Sequence, residues 1–340
     1  MNCEVKFLRN TNAVYYSGNL LEATVEMNLT ECVRINEITS KFIGYAKTEW
    51  TVDISKYNLQ TFTGRIDYLD KKIQVLNEDS TAVDLSPGTH NFDFQFQLPE
   101  NIPTSYKSKF GSIKYKIQVV INFSSLTKSE LFFDLPFIVI HPINLNSIYP
   151  SLNEPIKVEL AKKFNFNLAS SDLNMMVVVP QGGYVAGQAI EVLVQIENLG
   201  RTRVKYVKIA LRKISKYSCQ LPKPLNKTST EVLIKEVIYN EIPSKSKRDF
   251  LRSIFIPPVP PNIENCDLIN VSYELKVKAK TIGWNKSPAL KIPIKIGTVA
   301  IANDNLIYGE GMSNKRVLPP AYEDSFRNSA ITDTSSDEEE

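Results

Sequence analysis

The sequence predicts an all-β protein: two tandem antiparallel β-sandwich domains followed by a tail expected to be disordered. Three observations carry that prediction. Apolar residues recur with a period of two, a strand plan in the first half returns in order in the second, and no convincing amphipathic helix pattern interrupts either half.

The first clear element is "LLEATVEMNL". Leu21, Ala23, Val25, Met27 and Leu29 share one face, and Glu22, Thr24, Glu26 and Asn28 the other. That is the signature of a strand with one face in a core and one in water. The same alternation runs through "NFDFQFQL", with Phe92, Phe94, Phe96 and Leu98 on the inner face. It returns in "SIKYKIQVVINF", with Ile113, Tyr115, Ile117, Val119 and Ile121 inward. Turn residues separate the runs: Tyr16-Ser17-Gly18, Ser86-Pro87-Gly88 and Leu98-Pro99.

The second half repeats this plan. "YYSGNLLEATVEM" lies on "YVAGQAIEVLVQI", so Tyr15 meets Tyr184, Gly18 meets Gly187 and Glu22 meets Glu191. Inward Leu21, Ala23, Val25 and Met27 fall on Ile190, Val192, Val194 and Ile196 with parity kept. Pro99 and Tyr115 have the same separation as Pro257 and Tyr273. A period this long implies tandem domains, each large enough to bury a core between two sheets. The expected division is 1–145, a Pro- and Asn-rich connection over 146–172, a second sandwich over 173–302, and a tail from 303 to 340. The closing strand "ALKIPIKIGTV" sets Leu290, Ile292, Ile294 and Ile296 inward. Pro293 removes a ladder donor and should sit at an edge or beside a bulge. Beyond Thr298 the alternation stops, and the polar segment ending "SSDEEE" has too little apolar surface to fold.

Composition narrows the function classes. A net charge of +3 gives no argument for nucleic acid, and the opening "MNCEVKFLRN" lacks a secretory pattern, so a cytoplasmic protein is expected. Five Asn-x-Ser/Thr sequons therefore read as chance surface sequence. Cys3, Cys32, Cys219 and Cys266 are scattered, which favours free thiols with small-hydrophobe packing. His90 and His141 both stand in turn-like surroundings, away from metal-ligand or nucleophile spacings, and no glycine-rich phosphate loop is present. No catalytic residue, cofactor or metal is expected.

These residues resemble the arrestin-domain-containing proteins, or α-arrestins. The resemblance is carried by "YYSGNLLEATVEM", "FIGYAKTEW", "LSPGTHNFDFQFQLPENIPTSY", "FGSIKYKIQV", "INLN", "YVAGQAIEVLVQIENLG", "IKIGTV" and the tail's "PPAY". It implies two seven-stranded, immunoglobulin-like sandwiches facing each other across a concave surface, with adaptor rather than catalytic activity. Two features depart from the family pattern. The tail has one P-P-x-Y where members commonly carry more, and it has no clathrin-box-like or adaptor-hook sequence.

Pro319-Pro320-Ala321-Tyr322 has a physical reading of its own. Proline holds φ near the polyproline II value, so an extended ligand loses little entropy on docking. WW domains offer an aromatic-lined groove for such prolines. The family resemblance makes the motif a docking handle for WW-domain HECT-type ubiquitin ligases; the plain alternative is a turn in a Pro-containing tail. The implied protein links the cytoplasmic parts of membrane receptors or transporters to a ligase, at the plasma membrane and endosomes. A retromer-like structural sorting subunit, or a redox-linked regulator holding an oxidoreductase through a surface cysteine, are the competing readings.

Two basic clusters are candidates for phosphorylated cargo tails or anionic headgroups, including peripheral membrane association. "RTRVKYVK" sets Arg201, Arg203 and Lys205 on one expected strand face with Lys208 close by, and Lys107, Lys109, Lys114 and Lys116 form the second. The plainer reading of both is a solvated face that blunts an exposed strand. Ser335 and Ser336, followed by Asp337, Glu338 and Glu339, fit an acidophilic kinase that reads downstream carboxylates.

Overall fold

The alternating segments form long strands arranged as pairs of facing sheets. The computed structural model describes residues 2–10, 12–55, 58–76, 82–124, 130–148, 150–166, 169–282 and 287–302. The first half gives β1 (Asn2–Phe7), β2 (Val14–Tyr16), β3 (Leu20–Leu29), β4 (Val33–Ser55) and β5 (Asn58–Leu76). It continues with β6 (Val83–Leu85), β7 (Gly88–Gln97), β8 (Tyr106–Ser108), β9 (Gly111–Phe123) and β10 (Glu130–Ile140). A helical turn, α1 (Leu145–Ile148), and a 3-10 turn at Pro150–Asn153 lead to β11 (Ile156–Phe166) and β12 (Ala169–Val179). Then come β13 (Gly183–Val185), β14 (Ala189–Asn198), β15 (Val204–Cys219), β16 (Leu225–Ile238), β17 (Ser246–Phe255), β18 (Ile269–Thr281) and β19 (Ala289–Gly297).

Four sheets result. β1-β3-β7 accompanies a larger sheet of order β2-β10-β9-β4-β5, to which β6 and β8 add short edges. β11-β12-β14-β17 accompanies β13-β19-β18-β15-β16. Every inward residue expected from the alternation is buried or half-buried: Leu21, Ala23, Val25 and Met27 have no exposed surface, nor do Ile190, Val192, Val194 and Ile196. In the first half the packing is aromatic. Phe42 of β4 stacks on Phe96 of β7 at 4.4 Å between ring centres and meets Phe94 edge-on at 6.1 Å. Cutting Phe42 back to alanine in such a site costs about 3–5 kcal/mol.

The two halves share more than strands. Gly18 and Gly187 both take left-handed backbone conformations, with φ of 81° and 87°, which glycine adopts without a Cβ penalty. Those turns follow β2 and β13, each lying parallel to the last strand of its set. Tyr115 Oη donates to the Pro103 carbonyl at 2.7 Å, and Tyr273 Oη to the Pro260 carbonyl at 2.6 Å. Ser105 and Asn262 grip the closing strand in the same way. Each backbone N–H donates to that strand, to Val139 O and Ile296 O, while each side-chain oxygen accepts the N–H of the same residue. Pro293 faces outward where β19 lacks a β13 partner, since β13 pairs only with Lys295 to Gly297. Pro136 holds the equivalent place in β10, because β2 pairs only with Ile138 to Ile140.

One stretch differs from expectation. Residues 146–172, expected as a connection, contain β11 and the start of β12, paired along their whole shared length. β11 is an edge strand whose Ile156, Val158 and Leu160 are only half-buried beside exposed Lys157 and Glu159. Its apolar alternation is diluted by lysines, which edge strands commonly carry, and so reads as linker.

By contacts the chain forms two compact units whose limits do not follow the repeat. Among the described residues, the first comprises those up to His141 together with Lys216–Lys227 and Ile263–Asn270; the second comprises Pro142–Ser215, Thr228–Asn262 and those from Val271 to Ala302. Within the first unit, Thr48 Oγ1 donates to the Ser218 carbonyl at 2.6 Å, and the Thr63 N–H to Leu221 O at 2.9 Å. Lys227 Nζ lies 4.0 Å from the centre of the Phe110 ring.

Candidate functional site

A concentration of positive charge lies on the outward face of β15, β18 and β19, within the second unit. In β18 the odd residues Leu275, Val277 and Ala279 are buried, so Glu274, Lys276 and Lys278 point to the other face. In β19 Leu290 and Ile292 are buried and Lys291 points outward. In register, Lys276 stands directly opposite Lys291, Glu274 opposite Pro293, and Lys278 opposite Ala289. Like charges at directly opposed positions cost a sheet about 0.2–1 kcal/mol. Burial holds the Lys276 ammonium below the usual lysine range, and Arg212, Lys291, Lys278 and Lys208 lower it further. Glu274 is the one carboxylate among the described residues of β15, β18 and β19. It pairs with the Arg212 guanidinium, and Lys291 Nζ lies 3.9 Å away. Lys208, Lys276 and Lys278 make no ion pair among the described residues. Five cations against one carboxylate suit an extended anion.

The basic stretch singled out in the sequence is arranged differently. β15 begins at Val204, so Arg201 and Arg203 belong to the preceding turn and only Lys205 and Lys208 lie on the strand. Arg203 Nη1 is bound to Glu241 Oε1 at 3.2 Å. Burial slips by one residue between Val204 and Val207, and Lys208 joins the charged face just described. In the other cluster, Lys116 Nζ is neutralised by Asp134 Oδ2 at 2.7 Å, and Lys109 lies 5.7 Å from the Phe110 ring centre. Pro319, Pro320, Ala321, Tyr322, Ser335 and Ser336 lie outside the described residues.

The remaining chemical candidates are occupied by structural roles. Ser17 Oγ donates to the Glu100 carbonyl at 2.7 Å, with His141 Nδ1 at 3.2 Å. The hydroxyl proton is thus committed to the backbone, and burial lowers the His141 pKa. His90 Nε2 bonds the Ser86 carbonyl at 2.8 Å. Cys219 and Cys266 are buried, Cys3 is half-buried and Cys32 is exposed. Among the described residues no group of three His, Cys, Asp or Glu side chains could hold a metal, and no helix is long and apolar enough to cross a membrane.

Comparison with known proteins agrees with the strand plan. The family profile "Arrestin (or S-antigen), N-terminal domain" matches residues 3–146, and "Arrestin (or S-antigen), C-terminal domain" matches residues 169–301. The chain belongs to the arrestin family, as an arrestin-domain-containing (α-arrestin) protein. It is similar to arrestin domain-containing protein 1 of Homo sapiens, with 26% identity over 315 residues, covering 92% of this chain and 68% of the relative. Against arrestin domain-containing protein 1 of Rattus norvegicus the identity is 25% over 296 residues, covering 86% and 64%. Arrestin domain-containing protein 4 of Homo sapiens is 27% identical over 297 residues, covering 84% and 68%. The chain thus spans about two thirds of the length of these relatives.

Proposed function

We propose that this protein is a trafficking adaptor that links membrane receptors or transporters to a WW-domain HECT-type ubiquitin ligase, promoting ubiquitination, endocytosis and endosomal sorting. The arrestin domains engage the cytoplasmic parts of the cargo, and Pro319-Pro320-Ala321-Tyr322 engages the ligase. The protein works in the cytoplasm and is recruited to the plasma membrane and endosomes. The observation that carries this reading is a P-P-x-Y sequence following two arrestin domains in one chain. A structural sorting subunit has no use for that motif.

The test is titration of the full chain with isolated WW domains. Tyr322→Ala removes the side chain that fills the tyrosine pocket and should abolish binding, whereas Tyr308→Ala, outside the motif, should leave it intact. A single Pro319-Pro320-Ala321-Tyr322 motif, without a second site to raise the effective concentration, should bind an isolated WW domain with modest affinity. Superimposable titration curves for the wild type and Tyr322→Ala would refute the proposal.

A further inference from the structure

We propose that the outward face formed by Lys208, Arg212, Lys276, Lys278 and Lys291 is the docking surface for the acidic segment 333–340 of this same chain. The internal repeat supplies the first argument. β9 and β10 of the first half are laid out as β18 and β19 are in the second, with Tyr115 and Pro136 matching Tyr273 and Pro293. The register pair Gln118 and Asp134 therefore corresponds to Lys276 and Lys291. In the first half Gln118 Nε2 donates to Asp134 at 3.2 Å and Lys116 neutralises the same carboxylate. The second half keeps the strands and exchanges the charges of the diagonal pair, with Lys291 at 3.9 Å from Glu274, but it replaces the hydrogen-bonding Gln118 by Lys276, an ammonium set directly opposite Lys291. The strand plan does not require these lysines, and they destabilise the isolated sheet; an anion lying between them reverses the sign of that interaction.

The second argument concerns the occupant. Segment 333–340 carries five carboxylates, Asp333, Asp337, Glu338, Glu339 and Glu340, against a face of five cations and Glu274. Same-face residues of a strand repeat about every 7 Å, in the sheet and in an extended ligand alike, so alternate acidic residues match Lys276 and Lys278 in spacing. Residues 303–332 tether the segment to the second unit. A coil of that length has an end-to-end distance of about 30 Å, on the scale of a domain. Such a tether holds the segment at an effective concentration of roughly millimolar, above what a separate acidic peptide reaches in a cell. Phosphate on Ser335 and Ser336 would add about −1.5 to −2 charge each and tighten the contact.

The experiment is zero-length carbodiimide cross-linking of the dilute full chain, with the linked peptides read by mass spectrometry. This reads the contact directly, whether or not a WW domain binds residues 319–322. Links from 333–340 to Lys276, Lys278 and Lys291 should exceed those to Lys41 and Lys114 by about fivefold at low salt and fall by a similar factor near 0.5 M, where screening shortens to a few ångströms. Replacing Lys208 and Lys278 by glutamine, which leaves Lys276 and Lys291 as reacting amines, should lower the links to those two severalfold. So should the variant Asp337→Asn, Glu338→Gln, which leaves Asp333, Glu339 and Glu340 as reacting carboxylates and the sheets untouched. Equal linking to Lys41 and Lys114, or links insensitive to salt, would overturn the proposal. Retention on phosphatidylserine-containing vesicles that the lysine variant loses and the neutralised segment leaves unchanged would also overturn it, making the face a lipid surface instead.

Discussion

Removing one oxygen atom from each half tests whether the matched tyrosines act as ties. Tyr115 and Tyr273 are each 2% exposed, and each donates its hydroxyl to a proline carbonyl in the segment before its own strand. Replacement by phenylalanine keeps the ring, including the Tyr115 contact with Phe137 at 5.8 Å, and deletes only the donor. The magnitude depends on what the orphaned carbonyl then meets. Pro103 is buried among Ile102, Thr104 and Ser105, so its oxygen cannot recruit water readily, whereas Pro260 is partly exposed. Leaving a buried acceptor unpaired costs about 1–3 kcal/mol, while loss of a hydrogen bond that water can replace costs about 0.5–1.5 kcal/mol. Tyr115→Phe should therefore destabilise more than Tyr273→Phe. Urea unfolding followed by fluorescence measures both as shifts in midpoint at constant slope. Tyr239→Phe, at a side chain 81% exposed, is the control and should stay within about 0.5 kcal/mol of wild type. A Tyr115→Phe protein as stable as the control, or a larger loss in Tyr273→Phe, would refute the argument.

Two further outcomes are expected. His141 has its pKa lowered by burial, so the folded state favours the neutral ring; its contribution is complete above the unfolded value of 6.5 and is lost as pH falls through the lower folded value. Thermal melts from pH 7 downward should show that loss in the wild type and a flatter profile in His141→Gln. Lys276→Gln removes the register repulsion with Lys291 while keeping the Lys291–Glu274 contact, and should raise stability by about 0.2–1 kcal/mol in urea.

The inner faces were legible in the sequence because burial imposes a strict period of two. Leu21 to Met27 and Ile190 to Ile196 could be assigned by parity alone, as could the outward Pro293. The turn glycines were legible as punctuation, although their left-handed conformations follow only from the coordinates. β11 was not legible, because an edge strand needs fewer apolar residues and its lysines resemble linker sequence. The charged face was half visible. Lys276 and Lys278 alternate with buried residues in "YELKVKAK", and Lys291 does so in "ALKIPI". That they share a face with Lys208 and Arg212 depends on β18 lying between β15 and β19, a matter of tertiary pairing that no local pattern encodes. The same limit misplaced Arg201 and Arg203, since β15 begins only at Val204.

A sandwich of this kind leaves few positions free for function. Inward residues are committed to packing, and the closing-strand clamps at Ser105 and Asn262 and the tyrosine ties are committed to holding each plan together. They match between the halves because the same geometry constrains both. Outward positions carry no such constraint, and there the halves diverge at the same register site: a carboxylate neutralised by Lys116 and hydrogen-bonded by Gln118 in one, two opposed lysines in the other. A solvated face chosen for solubility alone would mix charges of both signs, as Lys41 with Asp70 and Lys116 with Asp134 do in the first half. In the first half Lys41 also stands opposite a lysine, Lys72, but Asp70 neutralises it; on the second-half face Lys208, Lys276 and Lys278 have no such carboxylate among the described residues, which directs mutagenesis to Lys276 before Arg203, whose charge Glu241 already neutralises.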